Sequence, residues 1–311
     1  MVSNFVDVLV VVVGVLLGVA YFTLLERKAL GSFHLRKGPC KVGIFGVCQP
    51  LADAVKLFSK EFFCPHVSAS WAFLIAPGVG ISVMCVTWTA LYPTKALVSL
   101  VSLDVLIFLV LTSLNVYVVM VAGWASNSKY ASLASNRGFA QAISYEVVLA
   151  LISFCFVMLG KSFNFVVMSN TLVYYGFMVV MVVLCWSVVI LAEVNRSPFD
   201  FVEAESELVS GYSVEYAGGG FALLFIAEYG NILFMSYFSV MLLFPCSWEV
   251  SWLVWGVSMF FKSMVVSYWF LWVRAALPRY RYDLLMLVCW KGVLPGALLG
   301  FMFCFGLGSM V

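Results

Sequence analysis

Val8-Leu-Val-Val-Val-Val-Gly-Val-Leu-Leu-Gly-Val-Ala-Tyr-Phe-Thr-Leu-Leu25 carries no charged side chain and runs directly into Glu26, Arg27 and Lys28. A bilayer core is crossed by roughly 20 apolar residues in helical form. The stretch, extended back to residue 3, is long enough. A transmembrane β-strand would alternate polar and apolar residues, whereas Val8 to Val13 is continuously apolar. The helix remains, because lipid offers no partner to an unpaired backbone group. Seven further stretches of this kind lie near residues 68–92, 98–124, 139–160, 171–194, 218–244, 251–273 and 287–310. The expectation is an all-α, polytopic membrane protein with eight transmembrane helices, forming a single integral-membrane domain over residues 1–311. Composition agrees: with 64% hydrophobic and 10% charged residues, the chain lacks the polar surface of a soluble domain. The first stretch has no basic segment before it and no small-residue cleavage site after it, so it reads as a retained helix.

The formal charge is only +2, and its distribution says more than its sum. Seven basic residues (Arg27, Lys28, Arg36, Lys37, Lys41, Lys56 and Lys60) follow the first span. Lys129 and Arg137 follow the third, Arg196 the fifth, and Arg274, Arg279, Arg281 and Lys291 the seventh. The even-numbered connections hold Lys95 and Lys161 alone. The positive-inside rule therefore puts the odd connections in the matrix or cytoplasm and both termini on the opposite face.

The first connection ends in Leu51 to Phe62, where Leu51, Ala54, Val55, Leu57 and Phe58 recur at helical spacing while Asp53, Lys56 and Lys60 face elsewhere. That pattern predicts an amphipathic helix lying at the membrane interface. The third connection, from Ala125 to Gly138, is polar with few charges and reads as a turn. The fifth, from Glu193 to Glu215, sets Glu193, Asp200, Glu203, Glu205, Glu207 and Glu215 against Arg196. On a helix Asp200, Glu203 and Glu207 would share one face, and carboxylates crowded in this way share protons because they cannot all ionise cheaply. A solvated acidic run docking a basic partner is the plainer alternative.

Three ionisable residues fall well inside the spans: Glu146, Glu228 and Lys262. Each costs roughly 2.5–3.5 kcal/mol at a helix centre on insertion scales. They point either to a proton-conducting path or to a buried ion pair, with Lys262 as the candidate partner of an acid. The nine cysteines include no C-x-x-C pair, and His34 and His66 are the only histidines. The sequence therefore offers no metal site, no iron–sulfur or zinc framework and no mid-membrane haem pair.

Read in order, Leu25-Glu-Arg-Lys-Ala-Leu-Gly31, Leu35-Arg-Lys-Gly-Pro39, Gln49-Pro-Leu-Ala-Asp-Ala-Val-Lys-Leu-Phe58, Gly123-Trp-Ala-Ser-Asn-Ser-Lys-Tyr130 and Ser144-Tyr-Glu146 resemble the subunit 1 family of respiratory complex I. So do Ala192-Glu-Val-Asn-Arg-Ser-Pro-Phe-Asp200, Glu203-Ala-Glu-Ser-Glu-Leu-Val-Ser-Gly211, Val214-Glu-Tyr216, Ala227-Glu-Tyr229 and Arg274-Ala-Ala-Leu-Pro-Arg-Tyr-Arg-Tyr-Asp283. The resemblance is collinear over essentially the whole chain. Cys40 departs from it where Asn is usual, and Gly230 where Ala is common.

The resemblance implies a core membrane subunit of a proton-translocating NADH:ubiquinone oxidoreductase. Ubiquinone or a related quinone would be the substrate, with Glu26, Arg27, Arg36, Asp53, Arg196, Arg274 and Arg279 lining or bordering its cavity. Glu146, Glu193, Asp200, Glu203, Glu205, Glu207, Glu215, Glu228 and Tyr229 would form or approach an acidic path. NADH, FMN and iron–sulfur clusters would belong to partner subunits, this chain holding no redox cofactor itself. The implied partners are matrix-side iron–sulfur subunits at the quinone site, antiporter-like membrane subunits and membrane lipids, not nucleic acid. The implied location is the mitochondrial inner membrane, with the termini on the intermembrane-space side. A stand-alone proton or cation transporter, or the membrane anchor of a related hydrogenase complex, would share the intramembrane acids. The matches over Glu26 to Pro39 and Arg274 to Arg281 favour the oxidoreductase.

Overall fold

The computed structural model describes residues 2–91, 103–165, 167–168, 180–202, 208–244 and 252–310. Among them the chain is helical, without strands. The helices are α1 (Val2–Phe33), α2 (Gln49–Ser59), α3 (Ser70–Leu91), α4 (Asp104–Ala125), α5 (Lys129–Gly160), α6 (Val180–Glu193), α7 (Gly218–Leu243), α8 (Trp252–Ala276), α9 (Tyr282–Val288) and α10 (Leu294–Met310). A single π-helical turn, Cys289–Val293, joins α9 to α10. Seven helical segments among the described residues are long and apolar enough to cross a membrane. Met181–Glu193 is a shorter apolar helix at the end of the fifth expected stretch, and residues 171–179 of that stretch lie outside the described residues.

Two boundaries differ from the sequence reading. α1 continues through Glu26, Arg27 and Lys28 to Phe33, so the charges expected to open the first connection sit on the last turns of the helix. Likewise α5 begins at Lys129, which leaves only residues 126–128 as the turn expected over 125–138. The cause is small-residue packing: Ala131, Ala134, Ser135, Gly138, Gln141 and Ala142 are all buried, at a helical period that polarity alone conceals.

The spans hold together through close contact, since lipid tails supply little hydrophobic drive between helices. Trp186, Tyr145, Phe108, Leu149 and Ile152 are fully buried in the main core. Phe108 stacks on Phe238 at 4.0 Å between centroids. Small residues bring the backbones of α3 and α7 together. A Cβ on Gly230 would lie 2.6 Å from the Met84 side chain, and the Gly230 carbonyl accepts the Trp88 indole N–H at 3.2 Å. The departure at Gly230 is thus matched by a bulky Met84 opposite it. Span hydroxyls turn back onto their own helix, as Thr87 does to the Met84 carbonyl and Ser239 to the Met235 carbonyl, which keeps these hydroxyls paired within an apolar span.

The end of the bundle that carries the basic connections is stapled across elements. The Asn127 amide donates to the Val67 carbonyl, and the Ala69 N–H to the Ala125 carbonyl. Tyr216 stacks on Phe73 at 4.1 Å and donates to the Ala122 carbonyl. Burial pushes its phenol up, so it stays a donor. α2 docks on the start of α7: a Cβ at Gly218, whose φ is +56°, would crowd the carbonyls of Leu57, Lys60 and Glu61, and Gly220 lies against the Phe62 ring. Its Leu51, Val55 and Phe58 remain exposed, an unburied apolar stripe at i, i+4 and i+7.

Candidate functional site

Glu26 lies on the last turns of α1 and is 4% exposed. Such a carboxylate is tolerable only when its lone pairs are filled by donors or cations. Three elements supply them. Tyr229 of α7 donates its hydroxyl to Oε2. Arg274, in the last turn of α8, donates Nη1 to Oε1. Arg196, past the end of α6, places Nη1 3.4 Å from the same oxygen.

The arrival of Arg196 follows from a helix end. The Arg196 N–H reaches the Leu191 carbonyl and the Asn195 N–H reaches the Ala192 carbonyl, while Asn195 holds φ +52°. This is the Schellman pattern, in which Asn, tolerant of left-handed backbone, substitutes for the usual glycine. It reverses the chain, and Arg196 returns toward α1 and α7. There the guanidinium sits over the Tyr229 ring, 4.5 Å from the centroid, and its Nη2 approaches Glu228 Oε1 at 3.5 Å. Arg196 therefore serves Glu26 and Glu228 together.

A neutral side chain holds this turn in place. Gln141 of α5, fully buried, donates to the Ala192 carbonyl at 2.9 Å and to the Phe199 carbonyl at 3.0 Å. Beyond it Asp200 meets Arg279 at 3.2 Å, and the Tyr280 N–H donates to the Pro198 carbonyl at 3.1 Å. The fifth and seventh connections are thereby bound to each other.

The other cavity candidates separate. Arg27 pairs with Asp53 at 2.6 Å, with more than a third of each side chain exposed, and Gln49 donates to the second Asp53 oxygen at 2.8 Å. The pair ties α2 to α1 beside the cluster. Arg36 is exposed on the connection after α1 and makes no ion pair among the described residues.

Of the acids, Glu193 is buried at the end of α6, and Glu146 of half-buried α5 surface acts on it electrostatically. Glu215 is half-buried in the connection before α7. Glu203, Glu205 and Glu207 lie outside the described residues. Lys262 donates to the Phe244 carbonyl at 2.9 Å, next to the C-terminal end of α7, where carbonyls without helical partners favour a cation.

Three hollows adjoin these groups. An apolar groove of about 590 Å³ runs between α1, α7 and α8, bordered by Val10, Phe22, Trp88, Leu233, Trp255 and Met259. Phe22 also borders a narrow crevice that reaches Glu26, Arg196 and Arg274. On the other side of Glu228, a chamber of about 50 Å³ is walled by Asn115, Glu193, Asn195, Tyr212, Glu228 and Asn231. Sequence reasoning passed over Gln141, Asn115 and Asn231. An uncharged amide within an apolar span is the only signal they offer.

The chain matches the NADH dehydrogenase family over residues 6–305. It is similar to the NADH-ubiquinone oxidoreductase chain 1 of Heterololigo bleekeri, 48% identical over 290 residues, covering 93% of this chain and 92% of that one. The protein of the same description from Aedes aegypti is 46% identical over 296 residues, 93% and 91% of the two chains. That of Mytilus edulis is 45% identical over 285 residues, 91% and 90%.

Proposed function

From the premise that this chain belongs to the family of NADH-ubiquinone oxidoreductase chain 1, that is, subunit 1 of complex I, we propose that it forms much of the quinone cavity and an acidic path coupling quinone reduction to proton translocation. The observation that carries this reading is the sharing of Arg196 between Glu26 and Glu228. Unit charges 4 Å apart interact by about 4 kcal/mol at an effective dielectric of about 20. A change of charge or hydrogen bonding at Glu26 is therefore felt at Glu228 through one guanidinium.

In this reading the apolar groove beside Phe22 accommodates an isoprenoid tail, and the polar head group approaches Glu26, Arg274 and Arg196, with Arg27, Arg36, Asp53 and Arg279 around the mouth. Reduction of a quinone draws protons to its oxygens, and the Tyr229–Glu26–Arg274 network is a set of donors and acceptors able to reorganise around it. Glu228, Glu193 and Glu146 continue inward, joined by Asp200, Glu203, Glu205, Glu207 and Glu215 of the fifth connection. Electrons stay in partner subunits that carry FMN and iron–sulfur clusters, and antiporter-like subunits receive the acidic path.

The surrounding architecture is eight transmembrane helices in the mitochondrial inner membrane. α2 lies in the interface on its Leu51, Val55 and Phe58 stripe, and the termini are on the intermembrane-space side. In the assembled oxidoreductase, Glu228→Gln should leave NADH-to-quinone electron transfer running while fewer protons cross per electron. Full coupling in that variant would remove Glu228 from the path.

A further inference from the structure

Among the described residues, four cysteines are buried free thiols, and they face different partners. Cys289 donates to the Ser144 carbonyl at 3.5 Å and Cys185 to the Val293 carbonyl at 4.0 Å, the ordinary way for a weak S–H donor to stay paired in an apolar span. Cys155 of α5 and Cys304 of α10 are both fully buried in the main core and are hydrogen-bonded to each other. Small residues build that approach. Gly296, Gly300 and Cys304 recur every four residues along α10, and so share one face. A Cβ on Gly300 would lie 2.8 Å from the Val182 side chain of α6, and one on Gly296 3.2 Å from Cys185 Sγ. This face of α10 is drawn close onto its neighbours, as a disulfide requires: its two Cβ atoms must come within roughly 3.5–4.5 Å. The pair also lies near the end of the bundle away from the basic connections. Cys155 precedes the end of α5 at Gly160 by five residues, and Cys304 that of α10 at Met310 by six. Each is therefore roughly 8–9 Å from its helix end.

We infer that Cys155 and Cys304 form a modification site, a dithiol that a hydroperoxide oxidises to a disulfide tying the last helix to α5. The site uses none of the charged residues around Glu26 and does not depend on the quinone reading. Buried thiols are ordinarily inert. This pair differs in having a second sulfur already in contact, which captures a sulfenic acid as it forms. A neutral hydroperoxide brings no charge to be desolvated on its way through the outer turns. In the first step one thiol sulfur takes the terminal oxygen of the hydroperoxide as the O–O bond breaks. The thiol becomes a sulfenic acid, and the remainder leaves as an alcohol. In the second step the other sulfur attacks the sulfenic sulfur: the S–S bond forms, the S–OH bond breaks, and hydroxide leaves as water with the proton of the attacking thiol. The two thiols together lose two electrons and two protons, and the hydroperoxide is reduced to alcohol and water. Cys185 is within electrostatic reach of Cys155 but faces the Val293 carbonyl, so Cys304 is the resolving partner.

The test uses the unmodified chain in the assembled oxidoreductase, in its own membrane, with cumene hydroperoxide as a lipid-soluble probe. After treatment the chain is denatured, its remaining thiols are alkylated, and its peptides are weighed. The peptides bearing Cys155 and Cys304 should appear joined, lighter by two hydrogens than the two thiol peptides together, with a matching loss of alkylation at both cysteines. Dithiothreitol added after denaturation should separate them and restore alkylation at both. Because the joined chain is closed into a loop from residue 155 to residue 304, it should also run faster on a denaturing gel until it is reduced. Cys185→Ser should leave the joined peptide unchanged, and Cys304→Ser should abolish it. Alkylation of both thiols as complete after the probe as before it overturns the inference. So does a joined peptide that pairs Cys155 with Cys185, or oxidation that stops at one sulfur without forming a link.

Discussion

The Arg196 guanidinium lies over the face of the Tyr229 ring, 4.5 Å from its centroid, while the hydroxyl of that ring is bonded to Glu26. One aromatic side chain thus holds the cation by its face and the anion by its edge. Tyr229→Phe keeps the first interaction and removes the second. A hydrogen bond to a charged group contributes about 1.5–3 kcal/mol and a partly desolvated cation–π contact about 0.5–2 kcal/mol. Tyr229→Leu, losing both, should therefore lower the inactivation temperature of the complex further than Tyr229→Phe. Equal effects would mean that the ring face contributes nothing.

Glu26 and Asp53 make a contrasting pair of carboxylates, each facing an arginine. Glu26 is buried and meets Arg196 and Arg274, so Glu26→Gln leaves Arg274 without this anion and Arg196 with Glu228 alone, a loss of about 3–5 kcal/mol for a broken buried pair. Asp53 is more than a third exposed, and an ion pair of that kind contributes about 0–1 kcal/mol. Assembled complex should be scarce for Glu26→Gln and near normal for Asp53→Asn, as read by native-gel content of NADH-oxidising activity.

Gln141 satisfies the Ala192 and Phe199 carbonyls with a single amide. Gln141→Leu keeps the bulk and strips both partners, at about 1–3 kcal/mol for each orphaned buried group. The turn that presents Arg196 should loosen before the spans do. Amide hydrogen exchange should accelerate over residues 193–201 and stay unchanged in α3 and α4. Uniform protection across all of them would show that the turn is held by other contacts.

Gly230 and Met84 should behave as a coupled pair. Gly230→Ala drives a methyl into the Met84 side chain, and overpacking typically costs about 1–3 kcal/mol. Met84→Ala combined with Gly230→Ala should recover part of that loss, because the flexible side chain is what the methyl meets. Additive losses in thermal inactivation would show that the two helices do not press on each other here.

Much of the bundle is legible in the sequence because each span is decided by its own twenty or so residues. The intramembrane acids announce themselves for the same reason: a charge in an apolar run is conspicuous wherever it ends up. Pairing is another matter. Glu26 meets Arg196 and Arg274 across most of the chain, and no local pattern encodes that choice. Lys262 donates to the Phe244 carbonyl at a helix end and Arg196 lies against Glu228, contacts that their own stretches of sequence do not reveal. The start of α5 was hidden because its inward face is built from Ala, Ser and Gly, residues that read as turn material when their neighbours are polar. The amides of Asn115, Gln141 and Asn231 carry no charge to betray them.

The docking of α2 on Gly218 and Gly220 sets an order on the birth of the protein. A ribosome making the chain from its N-terminus releases α2 more than 150 residues before its seat on α7 exists. Glu26 meets its partners in turn, Arg196 first, then Tyr229 and last Arg274, so for much of that interval the nascent first loop waits at the bilayer surface with its anion unmet. Insertion machinery or lipid head groups must shelter it until the sixth and seventh apolar stretches emerge. Translation that stalls between them would leave a fragment in which Arg196 and Tyr229 are present but Glu26 still lacks Arg274.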